Sequence, residues 1–543
     1  MWFVFGASML LGFINFFYLI PPVVNWDEGT HAIWGFREWL ALRDGNLGAF
    51  WQFTRQQFAY PPLGSWLIAL VNFPFEFSIT LSRFVSTIGF ILSAVLVYLI
   101  GKQLNNKKLS GLIAFLFFVT SPIILFYSVV VFKEIWGVVL TLLTLFLYLR
   151  AHDKKTYFSY FLAGLSLIFL FWEKYNYALL VLLIFFLEDI VDWVVVSTVI
   201  RSKKGLVLAR KTLVRHLLIF TPVSLFALWW IFTPEDKSLW FLDIMRSDWN
   251  PVTVGLGGQL EYLLFYPNSI RVSYVFSEVL FWILVAGYLL SLRELANKKV
   301  RVLFLLFTLN LVLGTRHAIN LQDRYILTTV PALFLLTGYQ TEKIYPLVKE
   351  KIKNQKSKLK KYLRIFIFTF LFLILGSDLV KLPWFLKSNT THLLSSAMYH
   401  ETDYHDTIFN FNKNDWPKGE LFLRKEAETP EQVIDYVLDN VDVNSRVEIV
   451  GYTSEMSPDW IELRMALKRR ECVIKNLSCL KTGAYYLVTI EVKPTSRIYT
   501  YDYKRANSWA LPKIKQIEID SKSALRKEKE FKELGVVVKI YEF

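Results

Sequence analysis

Asn25-Trp26-Asp27-Glu28 stands directly after a hydrophobic segment, residues 2–20, and Tyr60-Pro61-Pro62-Leu63 follows about thirty residues later. Two adjacent acids at the exit of an apolar run are costly to place unless they are solvated, paired or used. The run before them has no cationic leader region and no small-x-small cleavage site, so it reads as a retained anchor.

Outward from this point the chain is built of similar runs. Of its 543 residues 54% are hydrophobic, 17% aromatic and only 20% charged, with a mean hydropathy of +0.37. A soluble domain carries about 25% charged residues and does not bunch its apolar ones. Segments of bilayer length, about 17–25 residues, fall near 2–20, 80–101, 109–130, 134–150, 157–172, 176–199, 216–233, 272–292, 301–315, 325–341 and 364–383. The fold expected is a polytopic α-helical membrane protein of about 11 transmembrane helices.

Charge orients these spans. The links 102–108, 150–155, 201–215, 293–301 and 342–364 are basic. Those at 21–79, 131–134, 173–175, 234–271 and 316–324 are less so, and they hold the acid pair and the longest insertions. By the positive-inside bias the N-terminus is cytoplasmic and the tail after Pro383 lies outside. The formal charge of +15 therefore reads as loops facing anionic membrane lipid, with no nucleic-acid partner. The sixth span is interrupted by Glu188, Asp189 and Asp192. Either the helix ends near Leu187 and an interfacial helix follows, the cheaper choice, or the acids face a polar cavity.

Residues 1–383 form the membrane domain in this reading, and 384–543 a soluble extracytoplasmic α/β domain. Thr429-Pro430-Glu431 opens an amphipathic helix to about Asp439, and Val447–Val450, Tyr485–Val492 and Val536–Tyr541 have strand composition. Cys472 and Cys479 form no metal framework, and a disulfide between them stays open.

After Glu28, residues Ile33, Trp34, Phe36, Trp39 and Leu40 recur at helical spacing. They predict a helix lying in the membrane interface with Asp27 and Glu28 at its start, where a carboxylate is favoured. Asp27 then has two readings, an N-cap or a working base. Asp27 and His31 share a helix face, but two ligands are too few for a metal.

The acid pair after the first span, the interfacial helix and the Tyr60-Pro61-Pro62-Leu63 segment resemble the GT-C class of membrane glycosyltransferases. The likeness is to the protein O-mannosyltransferase superfamily and its aminoarabinose transferase relatives. Phe132-Lys133-Glu134 resembles a second acidic position, Glu173-Lys174-Tyr175-Asn176 a Lys-Tyr step opening a span, and Arg324-Tyr325 with Pro331 a late Arg-Tyr...Pro pattern. The resemblance covers roughly residues 1–383.

It implies inverting transfer of a sugar from a polyprenyl-phosphate donor to a glycan, lipid or protein acceptor outside the membrane. Asp27 would be the general base and Glu28 would position the acceptor or tune that base. Lys174 and Arg324 would bind the donor phosphate, with Glu134 a second acidic position. The alternatives are snorkelling for Arg324, a Glu173 ion pair for Lys174, and a surface pair for Lys133 and Glu134. Tyr60 and the long loop 234–271, with Trp240 and Arg246, would line the acceptor or sugar. No cofactor is expected to be obligatory; a divalent cation (Mg or Mn) stays open, with no metal ligand assigned. The rival from another class is a transporter or flippase for a lipid-linked sugar, whose ionisable groups would gather near mid-membrane.

Overall fold

The computed structural model describes residues 1–19, 26–57, 61–131, 133–154, 156–199, 203–232, 266–267, 269–275, 278–316, 323–353, 430–442, 445–450, 458–468, 485–492, 514–517, 524–532 and 535–543. The predicted span 364–383, most of the loop 234–271 and both cysteines lie outside these residues.

The helices in chain order are α1 (Trp2–Leu19), α2 (Trp26–Arg43), α3 (Leu47–Gln56), α4 (Leu63–Asn72), α5 (Ile79–Asn105), α6 (Lys108–Val119), α7 (Pro122–Tyr127), α8 (Lys133–Lys154), α9 (Tyr157–Glu173), α10 (Tyr175–Val199) and α11 (Lys203–Phe232). After them come α12 (Glu278–Ser291), α13 (Lys298–Arg316), a 3-10 turn at Asp323–Ile326 and α14 (Val330–Lys353). Among the described residues, Ile79–Asn105, Lys133–Lys154 and Thr212–Phe232 are long and apolar enough to cross a bilayer. Shorter apolar helices at Trp2–Phe17, Leu63–Asn72, Lys108–Val119 and Tyr157–Glu173 accompany them. The chain is a helical membrane protein.

Two sequence expectations change. The apolar run 109–130 is not one helix. It breaks at Thr120 and Ser121, and Pro122 starts α7 at a position where its missing N–H is harmless. The acids of the sixth span do not end their helix near Leu187, since α10 continues through them to Val199. They are neutralised rather than solvated. Arg301 grips Glu188 through Nε–Oε1 and Nη2–Oε2, both at 2.7 Å. Arg215 reaches Asp189, and Asp192 at 2.7 Å, while Lys298 meets Asp192 at 2.9 Å. His216 adds a contact to Asp189 at 2.9 Å. The cations come from α11 and α13, so the sequence around the acids could not announce them.

The C-terminal region holds helices α15 (Pro430–Asn440) and α16 (Pro458–Lys468) and strands β1 (Arg446–Val450), β2 (Tyr485–Val492), β3 (Leu525–Phe531) and β4 (Val536–Glu542). The sheet order is β1-β2-β4-β3, with β1 and β2 parallel and the other pairs antiparallel. Strand β3, Leu-Arg-Lys-Glu-Lys-Glu-Phe, gave no strand signal because its alternation is of charges on an edge, the usual guard against further pairing.

One apolar core joins this sheet to the first loop. Ala32, Ile33, Phe36, Trp39 and Leu40 of α2 pack with Ile68, Phe77 and Val85, and the same cluster continues into Ile461, Met465, Val488 and Val538. The apolar face of α2, expected to lie in the membrane interface, is covered by α4, α5 and the α/β region instead. Gly35 permits the approach to α4, since a Cβ there would stand 2.4 Å from Ile68 Cγ2.

Candidate functional site

Helix α2 carries a second stripe. At 3.6 residues per turn, Asp27, Glu28, His31 and Glu38 fall on one side of it. Glu28, His31 and Glu38 are buried, which is expensive for such residues unless each is matched. The matches define a site at one end of the helix bundle.

Glu28 is held by a residue that the sequence reading missed. Arg83, in the first turns of α5, donates through Nε to Oε1 and through Nη2 to Oε2, both at 2.7 Å. The Val131 N–H adds a bond to Oε1 at 2.9 Å. Both side chains are almost wholly enclosed, at 3% and 0% exposed. This bidentate pair fixes the start of α2 against α5 and the approach to α8. Its only sequence signal was a lone arginine near the start of an apolar span.

Two residues beyond Val131, Lys133 and Glu134 open α8, and both are buried rather than at the surface. Lys174 Nζ meets Glu134 Oε1 at 2.8 Å, and Arg324 Nε approaches the same oxygen at 3.8 Å. Lys174 belongs to the extended break between α9 and α10, and Arg324 to the 3-10 turn before α14. Lys174 also lies 4.9 Å from the Tyr177 ring and 5.6 Å from that of Tyr325, which Arg324 overlies at 5.7 Å. Three residues singled out in the sequence, Glu134, Lys174 and Arg324, are therefore neighbours. The Glu173–Lys174 ion pair considered as an alternative does not form; Lys174 turns to Glu134.

Lys133 donates to the carbonyl oxygens of Pro61 and, at 3.4 Å, of Glu173. It thereby ties the Pro61-Pro62 turn to the α9–α10 break. His31 completes the centre. Burial first, then the positive field of Lys133, holds its imidazole well below the ordinary value of 6.5; Lys174 and Arg324 act in the same direction and Glu134 opposes. It is neutral at pH 7. All four charges thus lie within electrostatic reach of the polar side of α2.

Glu38 sits lower on the same stripe. Its Oε1 accepts from Thr54 Oγ1 at 3.1 Å and Gln57 Nε2 at 2.7 Å, and Ser65 extends the chain of bonds to Gln57 at 2.9 Å. Burial outweighs these bonds and lifts its carboxyl from 4.5 to about 8, so it is protonated at neutral pH.

The backbone of Asp27 lies in the first turn of α2; its side chain, and Tyr60, Trp240 and Arg246, lie outside the described residues. Among the described residues no three His, Cys, Asp or Glu side chains gather to hold a metal ion.

Residues 59–230 match the family model for dolichyl-phosphate-mannose-protein mannosyltransferase. No curated protein matches the chain as a sequence. Among solved structures, ArnT from Cupriavidus metallidurans bound to undecaprenyl phosphate is similar with a TM-score of 0.54 and 11% identity, over 99% of this chain and 97% of that one. Its apo form gives a TM-score of 0.51 and 12% identity over the same shares. The oligosaccharyltransferase of Archaeoglobus fulgidus, tethered with an acceptor peptide, gives 0.49 and 12%, over 94% of this chain and 70% of that one. The likeness to ArnT runs along the whole length of the fold, and the family match lies across α4 to α11.

Proposed function

We propose that the protein transfers a sugar from a polyprenyl-phosphate carrier to an acceptor outside the membrane, by direct displacement with inversion. The observation that carries this reading is the convergence of Lys174 and Arg324 on Glu134, close enough for all three to act on His31, one turn along α2 from Asp27. Segments far apart in sequence have brought fixed cations to the helix bearing the candidate base.

The chemistry asks for two things. As the bond from the sugar's anomeric carbon to the phosphate oxygen breaks, its electron pair goes to the phosphate, whose charge grows. Arg324 offers a fork and Lys174 a point charge to receive it. Both cations meet one oxygen of Glu134, so a phosphate at that point would lie within reach of both. On the other side of the sugar, the acceptor's hydroxyl attacks and its proton passes to Asp27. Glu28 has both oxygens engaged by Arg83; we assign it to holding Asp27 in position rather than to the acceptor. Trp240, Arg246 and Tyr60 remain candidates for the acceptor side, on their sequence placement.

In this reading the Asp27 end faces outward, the N-terminus is cytoplasmic and the α/β region is extracytoplasmic. The carrier is a polyprenyl phosphate by analogy with the lipid bound to ArnT. A divalent cation has no step in this scheme.

The test is transfer from a labelled polyprenyl-phosphate sugar by protein carrying Asp27→Asn. The rate is expected to fall about a hundredfold or more, the usual worth of a general base, with thermal stability unchanged. Undiminished transfer would remove Asp27 from the mechanism. Movement of the lipid across the bilayer without glycosidic bond formation would instead favour the transporter reading.

A further inference from the structure

Lys133 stands where a cation should not. It is the first residue of α8, and a helix N-terminus favours negative charge and disfavours positive. It is also 4% exposed, so its ammonium has given up water. A buried, badly placed charge is retained only where something requires it.

What requires it is the residue before Lys174. Glu173 ends α9, is wholly enclosed, and among the described residues neither of its carboxylate oxygens has a hydrogen-bond donor. The Lys133 chain and the Glu173 carboxylate both flank Gly64, where a Cβ would stand 3.4 and 3.5 Å from the two Glu173 oxygens and 3.6 Å from Lys133 Cε. Lys133 acts on Glu173 more strongly than Lys174 does. It also binds the Glu173 carbonyl, which the break at Lys174 deprives of a helical partner.

We propose that Lys133 is a positioning residue whose charge offsets that of Glu173, which leaves Lys174 to Glu134 and the donor phosphate. Glu173 and Glu134 both lie within the electrostatic reach of Lys174. Without Lys133, a buried and uncompensated Glu173 turns to Lys174, its neighbour in sequence, and the phosphate loses that cation. Lys133 touches no reacting atom in this scheme; it sets how the site's charges are divided. Gly64 belongs to the same arrangement, since any side chain there would press on both the Glu173 carboxylate and the Lys133 chain.

The inference rests on the reading of Lys174 as a donor-phosphate ligand, and the experiment separates the two. Undecaprenyl phosphate is titrated into the purified full-length protein in nanodiscs, with affinity as the readout. Lys133→Met is expected to weaken binding roughly ten- to a hundredfold, the worth of about one charge-assisted bond. Glu173→Gln alone is expected to bind as the wild type does. The double variant Lys133→Met/Glu173→Gln is expected to return within about threefold of wild type, because the competing acid is gone.

Loss of packing alone would not be repaired by removing a second charge. If Lys133→Met does not fold, the double variant still decides: wild-type-like binding supports the inference and weak binding overturns it. Wild-type affinity in Lys133→Met also overturns it, and leaves the donor reading standing. A wild-type protein that binds no undecaprenyl phosphate overturns the donor reading, and the inference with it.

Discussion

The two ends of the helix bundle hold similar sets of buried charges and use them differently. Helices α8, α10 and α13 each run from one to the other. At the far end, Glu188, Asp189 and Asp192 of α10 meet Arg301, Arg215 and Lys298, with the Glu188 pair bidentate at 2.7 Å on both arms. At the Asp27 end, Lys174 and Arg324 share one oxygen of Glu134 at 2.8 and 3.8 Å, and rest on tyrosine rings. The first set is closed, each acid having its cation. In the second, two cations from separate segments meet on one carboxylate oxygen, as suits a site where an incoming anion is to claim its cations. Similar residue types make a clamp in one place and a receptive site in the other, and coordination is what tells them apart.

That contrast is broken if the far end also governs chemistry. Arg301→Met leaves Glu188, whose side chain is wholly buried, without its partner, and is expected to cost about 3–5 kcal/mol of stability, the usual penalty for a stranded buried charge. Transfer per folded molecule should stay at the wild-type level. The double variant Arg301→Met/Glu188→Leu should recover most of the loss, since neutral packing replaces an ion pair well. Denaturation in detergent together with the transfer rate measures both. Reduced transfer in a stable double variant would mean that the two ends are coupled.

A smaller effect sharpens the same distinction within α2. Glu38 titrates near 8 instead of 4.5 because burial disfavours its charged form. The unfolded chain gives up this proton at much lower pH than the folded one. Stability from the neutral carboxyl is therefore complete below about 4.5 and lost as pH rises through about 8. Between pH 7 and pH 9 the Glu38 share of the change should be a fall on the order of 1 kcal/mol, read as the difference in slope between the wild type and Glu38→Gln. His31 changes charge only on the acid side and leaves that window undisturbed. An unaltered slope in the glutamine variant would place the proton elsewhere.

Much of the site was legible because it lay in links. Glu134, Lys174 and Arg324 sit at the ends of apolar runs, where a charge stands out, and the alternation of basic links put them on one side. The partners inside the runs were not legible. Arg83 is a lone arginine in an apolar run, with nothing to mark it until Glu28 is seen across 55 positions. Lys133 reads as half of a surface pair, because sequence does not reveal that Pro61 and Glu173 close over it. The apolar face of α2 suits a bilayer interface and a protein core equally; only the return of the chain some four hundred residues later decides for the core. Periodicity shows which side of a helix is apolar, and tertiary structure chooses what covers it.

The smallest expected effect concerns that covering. Arg37 of α2 pairs with Glu462 of α16, with side chains 20% and 39% exposed. Partly exposed pairs contribute little, because water already solvates both ions and salt screens them. Arg37→Glu should cost only about 0.5 kcal/mol, and Arg37→Glu/Glu462→Arg should restore it. Transfer should be unaffected in both, because the apolar contact of Ile33, Phe36 and Leu40 with the α/β region holds α2 in place without the pair. A large fall in transfer for Arg37→Glu, reversed by the swap, would give this ion pair a grip on the Asp27 helix. The α/β region would then join the Asp27 end as part of the site, and the division would no longer follow the two ends of the bundle.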